Sequence, residues 1–266
     1  MSRALIYTFM GAMAAFLVAP LVVVGGVSLN AHKALMFPPD GVSLQWYGEL
    51  VTSAAWLGPV RNSLVIAFLS GLVALSVALP LAYFLWRHRV WYARALFGLG
   101  VAPFILPPVI TALGFMVFWA TTAFYGRLPT VVISHGIFFT TLPLMTISLG
   151  LESIDRQVVE AAQTMGADDR TVFLTVVLPL VRPYLISGYA FAFVLSLNEY
   201  IVAYMVAGFT VETLPIKIFN SLRYGYTPVM AAVTVVFVAI AVTIFGLIAR
   251  YGDLPRLLGA WSPKEP

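Results

Sequence analysis

Residues 160–180 read EAAQTMGADDRTVFLTVVLPL. This stretch is charged at its start, carries one glycine in its middle and ends on a proline that opens an apolar run. Apolar sequence flanks it on both sides. A short charged segment between long greasy ones is the pattern of a loop joining two membrane spans, so its neighbours decide the fold class.

The chain has 266 residues, of which 61% are hydrophobic and 10% charged. Soluble domains carry about 25% charged residues, so a soluble fold is excluded and a polytopic, all-α membrane protein is expected. Cysteine is absent, which rules out disulfides, thiol nucleophiles and thiolate metal sites. His32, His88 and His135 are too far apart in sequence to form a ligand-spaced motif, and no metal site is expected. The net charge of +4 does not point to nucleic acid, because the basic residues sit at the ends of apolar runs.

A spanning helix needs about 20 mostly apolar residues. Six segments meet this: roughly 4–29, 62–86, 95–120, 129–151, 183–207 and 227–250. The first is too long and lacks the cleavage site of a secretory signal, so it reads as a retained anchor. With the N-terminus inside, the inner side holds Arg3, Arg87, Arg89, Arg94, Arg156, Arg170, Arg182, Arg250, Arg256 and Lys264. The outer side holds Lys33, Arg61, Arg127, Lys217 and Arg223. Ten against five puts both termini in the cytoplasm. The whole chain, 1–266, reads as a single transmembrane domain, with residues 152–182 as a cytoplasmic loop.

Outer residues 30–60 carry Trp46, Tyr47 and Trp56, which suit a segment lying at the membrane interface. Within 208–226, Leu214, Ile218 and Leu222 are four apart and predict a short amphipathic surface helix. Pro103, Pro107 and Pro108 in the third span predict a broken or kinked helix, since each proline removes a backbone donor. A packing kink and a pathway-lining role both fit.

Within the loop, Ser153 or Asp155 can cap a helix that Gly166 ends in a left-handed turn. Asp168 or Asp169 can cap a second helix, which Pro179 closes or bends. A helix, turn and helix on the inner face, with small residues at Ala161, Ala162 and Gly166, suits docking to a soluble partner. A solvated hairpin is the plain alternative.

Ten of the eleven acidic residues fall in loops, termini or span edges, and Glu199 alone lies well inside a span. A charge at the bilayer centre costs about 2.5–3.5 kcal/mol or more, so such groups face a protein interior or a wet cavity. Asn198, Glu199, Tyr200 and Tyr204, together with Pro107 and Pro108, are candidates for a polar translocation pathway. Glu199 either attracts a cationic solute, with tyrosine faces adding cation–π contact, or partners polar groups on a neighbouring helix.

The spacing Glu160-Ala161-Ala162, Gly166, Val176, Leu178-Pro179 resembles the EAA loop of bacterial ABC-importer permeases. Val176 stands where that family usually has isoleucine. The resemblance extends through RNSLVIAF (61–68), LPPVITALG (106–114), SLNEYIVAYMVAG (196–208) and TLPIKIFNSLRYG (213–225), which look like the spermidine/putrescine subfamily. Asn198-Glu199 departs from the Asp-Asp or Asp-Glu of such relatives.

The resemblance implies a type I ABC-importer permease fold with six helices in the bacterial inner membrane. Glu160, Ala161, Ala162, Gly166, Leu178 and Pro179 would couple to the ATPase. The implied partners are two copies of an ATPase, a second homologous permease forming a heterodimer, a periplasmic solute-binding protein and the lipid bilayer. The implied cargo is a polyamine or similar amine-bearing solute, moved from periplasm to cytoplasm.

No Gly-x4-Gly-Lys-Ser/Thr motif occurs. The chain is therefore expected to be non-catalytic and to hold no cofactor, with ATP and Mg bound by partner chains. The competing reading is a stand-alone secondary transporter of a small cationic solute. That class tends to show internal repeats and several intramembrane ion-binding groups, and neither is visible in the sequence.

Overall fold

The computed structural model describes residues 3–88 and 90–251; Arg89, Arg256 and Lys264 of the charge count lie outside the described residues. The described chain is all-helical apart from one isolated β-bridge, Asn30 with Val42. In chain order the helices are α1 Arg3–Ser28, α2 Gln45–Thr52, α3 Ala54–Arg87, α4 Ala93–Ile105, α5 Pro108–Thr121, α6 Leu128–Phe138 and α7 Thr141–Glu152. They continue with α8 Arg156–Thr164, α9 Asp169–Val172, a π-helical turn Phe173–Val177, α10 Leu178–Asn198, α11 Ile201–Ala207, α12 Leu214–Tyr224 and α13 Val229–Tyr251.

Four helical stretches are long and apolar enough to cross a bilayer: Arg3–Ser28, Ala54–Arg87, Asp169–Asn198 and Val229–Arg250. Two bent pairs, α4 with α5 and α6 with α7, raise the number to six if each pair is one span. The α4–α5 bend is 102° and lies at Leu106-Pro107, as the proline cluster predicts. Pro107 lacks the N–H that would bond the Pro103 carbonyl, and the Thr111 hydroxyl donates to that carbonyl instead, at 3.3 Å.

Two other spans are less continuous than the sequence suggests. The fourth bends by 42° between α6 and α7. Pro143 cannot serve the Phe139 carbonyl, which accepts from the Leu142 N–H at 3.3 Å. The fifth breaks at Glu199 and Tyr200, between α10 and α11.

The chain divides into two compact units, residues 1–59 with 217–243 and residues 60–216 with 244–266. In the first, the segment after α1 folds back on that helix. Trp46 Nε1 donates to the Asn30 carbonyl at 2.6 Å, and Ser28 Oγ and Tyr47 Oη share a hydrogen bond at 2.8 Å. Trp46 and Trp56 are buried, so they are core residues of this unit rather than interfacial anchors. Lys217 Nζ sits over the Trp56 ring at 5.9 Å.

The second unit has two hydrophobic clusters. One gathers Ala112 of α5, Val131 and Phe138 of α6, and Val202 and Val206 of α11. The other gathers Leu144, Ile147 and Leu151 of α7, Val159 and Ala162 of α8, and Val177 and Val181. α3 and α10 contribute to both, through Ala74 and Ala192 in the first and Ala82 and Val181 in the second. α10 packs chiefly on α7. Gly188 allows their closest approach, because a Cβ there would meet the Pro143 Cα at 2.6 Å. On α12, Leu214 and Ile216 are buried whereas Phe219 and Leu222 are exposed, so the buried face is not the stripe expected from i, i+4 spacing.

Candidate functional site: the 152–182 loop and the α10–α11 break

α8 starts where Asp155 accepts from the Gln157 N–H at 2.9 Å. It ends at Gly166, whose φ of +91° is the left-handed conformation that favours glycine. The Ala167 N–H reaches back to the Ala162 carbonyl at 3.1 Å, satisfying one of the last helical acceptors. Asp168 then caps α9 by accepting from the Thr171 N–H at 2.8 Å. The hydroxyl and N–H of Thr171 hold the Asp168 carboxyl below the usual carboxylate range.

Pro179 does not close the second helix. It lies in the first turn of α10, and the helix runs on through the π turn, in which the Leu178 N–H bonds the Phe173 carbonyl five residues back. Such π turns are frequent at functional sites.

The segment is two-faced. Val159 and Ala162 are buried in the second cluster beside Leu151 and Val172. Glu160, Ala161, Met165 and Gly166 are exposed, with Pro179 exposed and Leu178 half-buried further on. A Cβ on Gly166 would meet nothing within 4 Å, so the requirement for glycine there is conformational. The loop therefore presents a shaped tip while its other face is fixed to the membrane helices.

A second attachment escapes the sequence. Arg87 Nη2 lies 2.8 Å from Asp169 Oδ1, and Gln163 Nε2 donates to the same oxygen at 3.1 Å. The end of α3, the end of α8 and the start of α9 thus meet at one carboxylate. Tyr83 and Phe173 pack against each other beneath it, with ring centroids 4.7 Å apart.

The second region is the break between α10 and α11. The side chain of Glu199 is only 8% exposed and is committed inside the chain. Its Oε1 accepts from the Val202 N–H at 2.8 Å and its Oε2 from the Ala203 N–H at 3.0 Å, capping α11. Its Oε2 also lies 3.0 Å from Nε2 of His135 on α6, whose side chain is 1% exposed. That contact has ion-pair distance but lies off the line of a hydrogen bond. The other ring nitrogen, Nδ1, is 2.8 Å from Ser196 Oγ.

Neighbouring candidates are placed differently. Asn198 is exposed and donates to the Val194 carbonyl of its own helix at 2.9 Å. Tyr200 and Tyr204 are half-buried and stacked, with centroids 5.3 Å apart. Pro107 and Pro108 are exposed at the α4–α5 break. His135 is the residue that sequence reasoning missed. A lone histidine some 60 residues away carries no pairing signal, and only the packing of α11 on α6 brings it to Glu199.

These features define a multi-pass helical membrane protein with a structured loop over residues 152–182 and no described cluster of three or more His, Cys, Asp or Glu residues that could hold a metal. Solved structures share the fold. A bacterial ABC transporter involved in the import of the acidic polysaccharide alginate superposes with a TM-score of 0.73 at 16% identity, covering 94% of this chain and 98% of that one. The MetNI methionine ABC transporter gives 0.62 at 18% identity, covering 79% and 97%.

Residues 71–253 match the family described as "Binding-protein-dependent transport system inner membrane component". The putrescine transport system permease protein PotI of Escherichia coli (strain K12) is 33% identical over 243 residues, 89% of this chain and 86% of that protein. The spermidine/putrescine transport system permease protein PotC of the same strain is 26% identical over 245 residues, 91% and 92% of the two chains. The chain belongs to this family of inner-membrane permease subunits of ABC importers, within its spermidine/putrescine-type branch.

Proposed function

We propose that this chain moves a polyamine or a similar small amine-bearing solute from periplasm to cytoplasm, driven by ATP hydrolysis on partner chains. The observation that carries the reading is the inner loop. An exposed Glu160-Ala161 and Gly166 tip on a base buried among the membrane helices is what a docking lever needs. Glu160, Ala161, Ala162, Gly166, Leu178 and Pro179 form this coupling element.

Six spans, with each bent pair counted once and both termini cytoplasmic, agree with the excess of basic residues on the inner side. The two compact units then work as one permease domain in the bacterial inner membrane. Two ATPase copies binding ATP and Mg, a second homologous permease and a periplasmic solute-binding protein complete the assembly.

Asn198, Tyr200 and Tyr204, with Pro107 and Pro108, are our candidates for the pathway, the tyrosine faces offering cation–π contact to an ammonium group. The Glu199 carboxylate already has three internal partners, and we assign it to holding the helix break rather than to contacting solute.

The test is detergent co-purification of the chain expressed with its neighbouring genes, wild type against Gly166→Arg. An ATPase and a second permease accompany wild type, and the ATPase is lost from the variant. A wild-type chain that purifies alone and transports alone would overturn the reading.

A further inference from the structure

The three helix breaks of the second unit touch one another. Phe104, at the end of α4, packs on Phe138 at the end of α6, with centroids 5.8 Å apart. Phe138 packs on Phe139 at 5.0 Å, and Phe139 meets the His135 ring edge-on at 5.8 Å. His135 in turn reaches Ser196 and Glu199 at the α10–α11 break. Thr141, opening α7, donates to the Gly100 carbonyl of α4 at 3.2 Å. The breaks therefore form one contiguous layer.

That layer also separates the two hydrophobic clusters. α5, α6 and α11 lie on one side of their breaks and contribute to the first cluster. α4, α7 and the early part of α10 lie on the other side and pack in or against the second, which holds the coupling segment through Val159 and Ala162. Packed clusters resist deformation, whereas a layer of helix ends has fewer backbone bonds to break when it bends. Each break has its local remedy. Thr111 serves the Pro103 carbonyl, Leu142 serves the Phe139 carbonyl, and the Glu199 carboxylate caps α11.

We propose that His135 is a positioning residue that sets the angle of this hinge layer during transport, by holding Ser196 on one side of the α10–α11 break and Glu199 within it. One rigid ring with two nitrogens 2.8 Å and 3.0 Å from its partners ties three elements, α6, α10 and α11, at one point. When the coupling segment moves with the second cluster, this tie makes α11 follow α10 rather than swing independently. The inference rests on the ATP-driven importer reading above.

The experiment uses the whole importer, co-purified and reconstituted in proteoliposomes. The chain has no cysteine, so introduced thiols label without background. Leu180→Cys on α10 and Phe209→Cys just beyond α11 are exposed positions on either side of the break. Spin labels there report the spread of distances across it, while uptake of putrescine per ATP hydrolysed reports coupling.

With His135→Ala, the ATPase still co-purifies, the distance distribution at least doubles in width, and solute moved per ATP falls at least fivefold. His135→Gln, which keeps a polar side chain of similar reach between Ser196 and Glu199, recovers most of both. If the alanine variant is lost from the membrane, Ser196→Ala carries the same test, since it cuts one side of the tie in a nearly isosteric way. Unchanged distance width and unchanged coupling in a variant that holds its ATPase would overturn the proposal. Loss of the ATPase from wild type would instead refute the importer reading, so the two failures are distinguishable.

Discussion

Replacing Glu199 by alanine removes two cap acceptors and the charge opposite His135 in one step. The side chains involved are 1% and 8% exposed, so water cannot replace what is lost. Leaving a buried donor without its acceptor costs about 1–3 kcal/mol, and Glu199→Ala leaves two, the Val202 and Ala203 N–H groups. Losing an N-cap alone costs about 1 kcal/mol, and the two losses overlap at one carboxylate. We therefore expect about 2–6 kcal/mol for Glu199→Ala, which at roughly 2–4 °C per kcal/mol lowers the midpoint of thermal unfolding by about 4–24 °C.

Glu199→Gln keeps the shape and one acceptor, and should lose about 1–3 kcal/mol. The assay is thermal unfolding of the detergent-purified complex, followed by the size-exclusion peak that survives heating. Combining Glu199→Gln with His135→Gln should recover part of the loss, because a double-mutant cycle exposes coupling between groups in contact. Glu199→Gln that melts like wild type yet no longer takes up a cationic solute would refute this reasoning and return the carboxylate to the pathway.

Three further outcomes follow from the geometry. Gly188→Val should disrupt the α7–α10 contact, since its Cβ would come within 2.6 Å of the Pro143 Cα; overpacking of this kind costs about 1–3 kcal/mol, and a fall in the yield of folded chain on size exclusion checks it. Arg87→Glu should reduce solute moved per ATP, and pairing it with Asp169→Arg should restore part of that coupling, measured in proteoliposomes. The Asp168 cap is held below the usual carboxylate range, so its contribution is fully present above the unfolded carboxyl value of about 3.9 and is lost only as pH falls through the lower folded value. The protection of the Thr171 amide relative to its intrinsic exchange rate should therefore be the same at pH 7 and pH 5, and Asp168→Ala should lower it at both.

The membrane class was legible because composition and segment length report burial in lipid directly. The helix–turn–helix of residues 155–172 was equally legible. Its caps and its turn rest on interactions two to five residues apart, and Asp155, Gly166 and Asp168 each carry the chemistry that their position requires. The proline break in the third span followed for the same local reason. Other features were set by partners distant in sequence. Trp46 looked interfacial because it is amphipathic, but its indole N–H is taken by a carbonyl sixteen residues back. Pro179 was expected to close or bend the second helix because it lacks an N–H, yet it lies in the first turn of α10 and the helix runs on through a π turn. Glu199 was visible as a buried charge, while His135, which answers it from α6, could be located only in the folded chain.

The energetics of the break explain why it needs a charged residue at all. A helix interrupted inside a membrane leaves N–H groups without partners, and each costs several kcal/mol in hydrocarbon. At the α4–α5 and α6–α7 bends, proline removes donors and leaves carbonyls, which a threonine hydroxyl and a nearby N–H can serve. No proline lies at the α10–α11 break, so the unmet groups are the N–H donors of Val202 and Ala203. The Glu199 carboxylate takes both, one on each oxygen, at 2.8 and 3.0 Å. Glu199 supplies the acceptors and His135 packs against it from α6, so the same pair that closes the backbone account also fixes the position of α6 against the break.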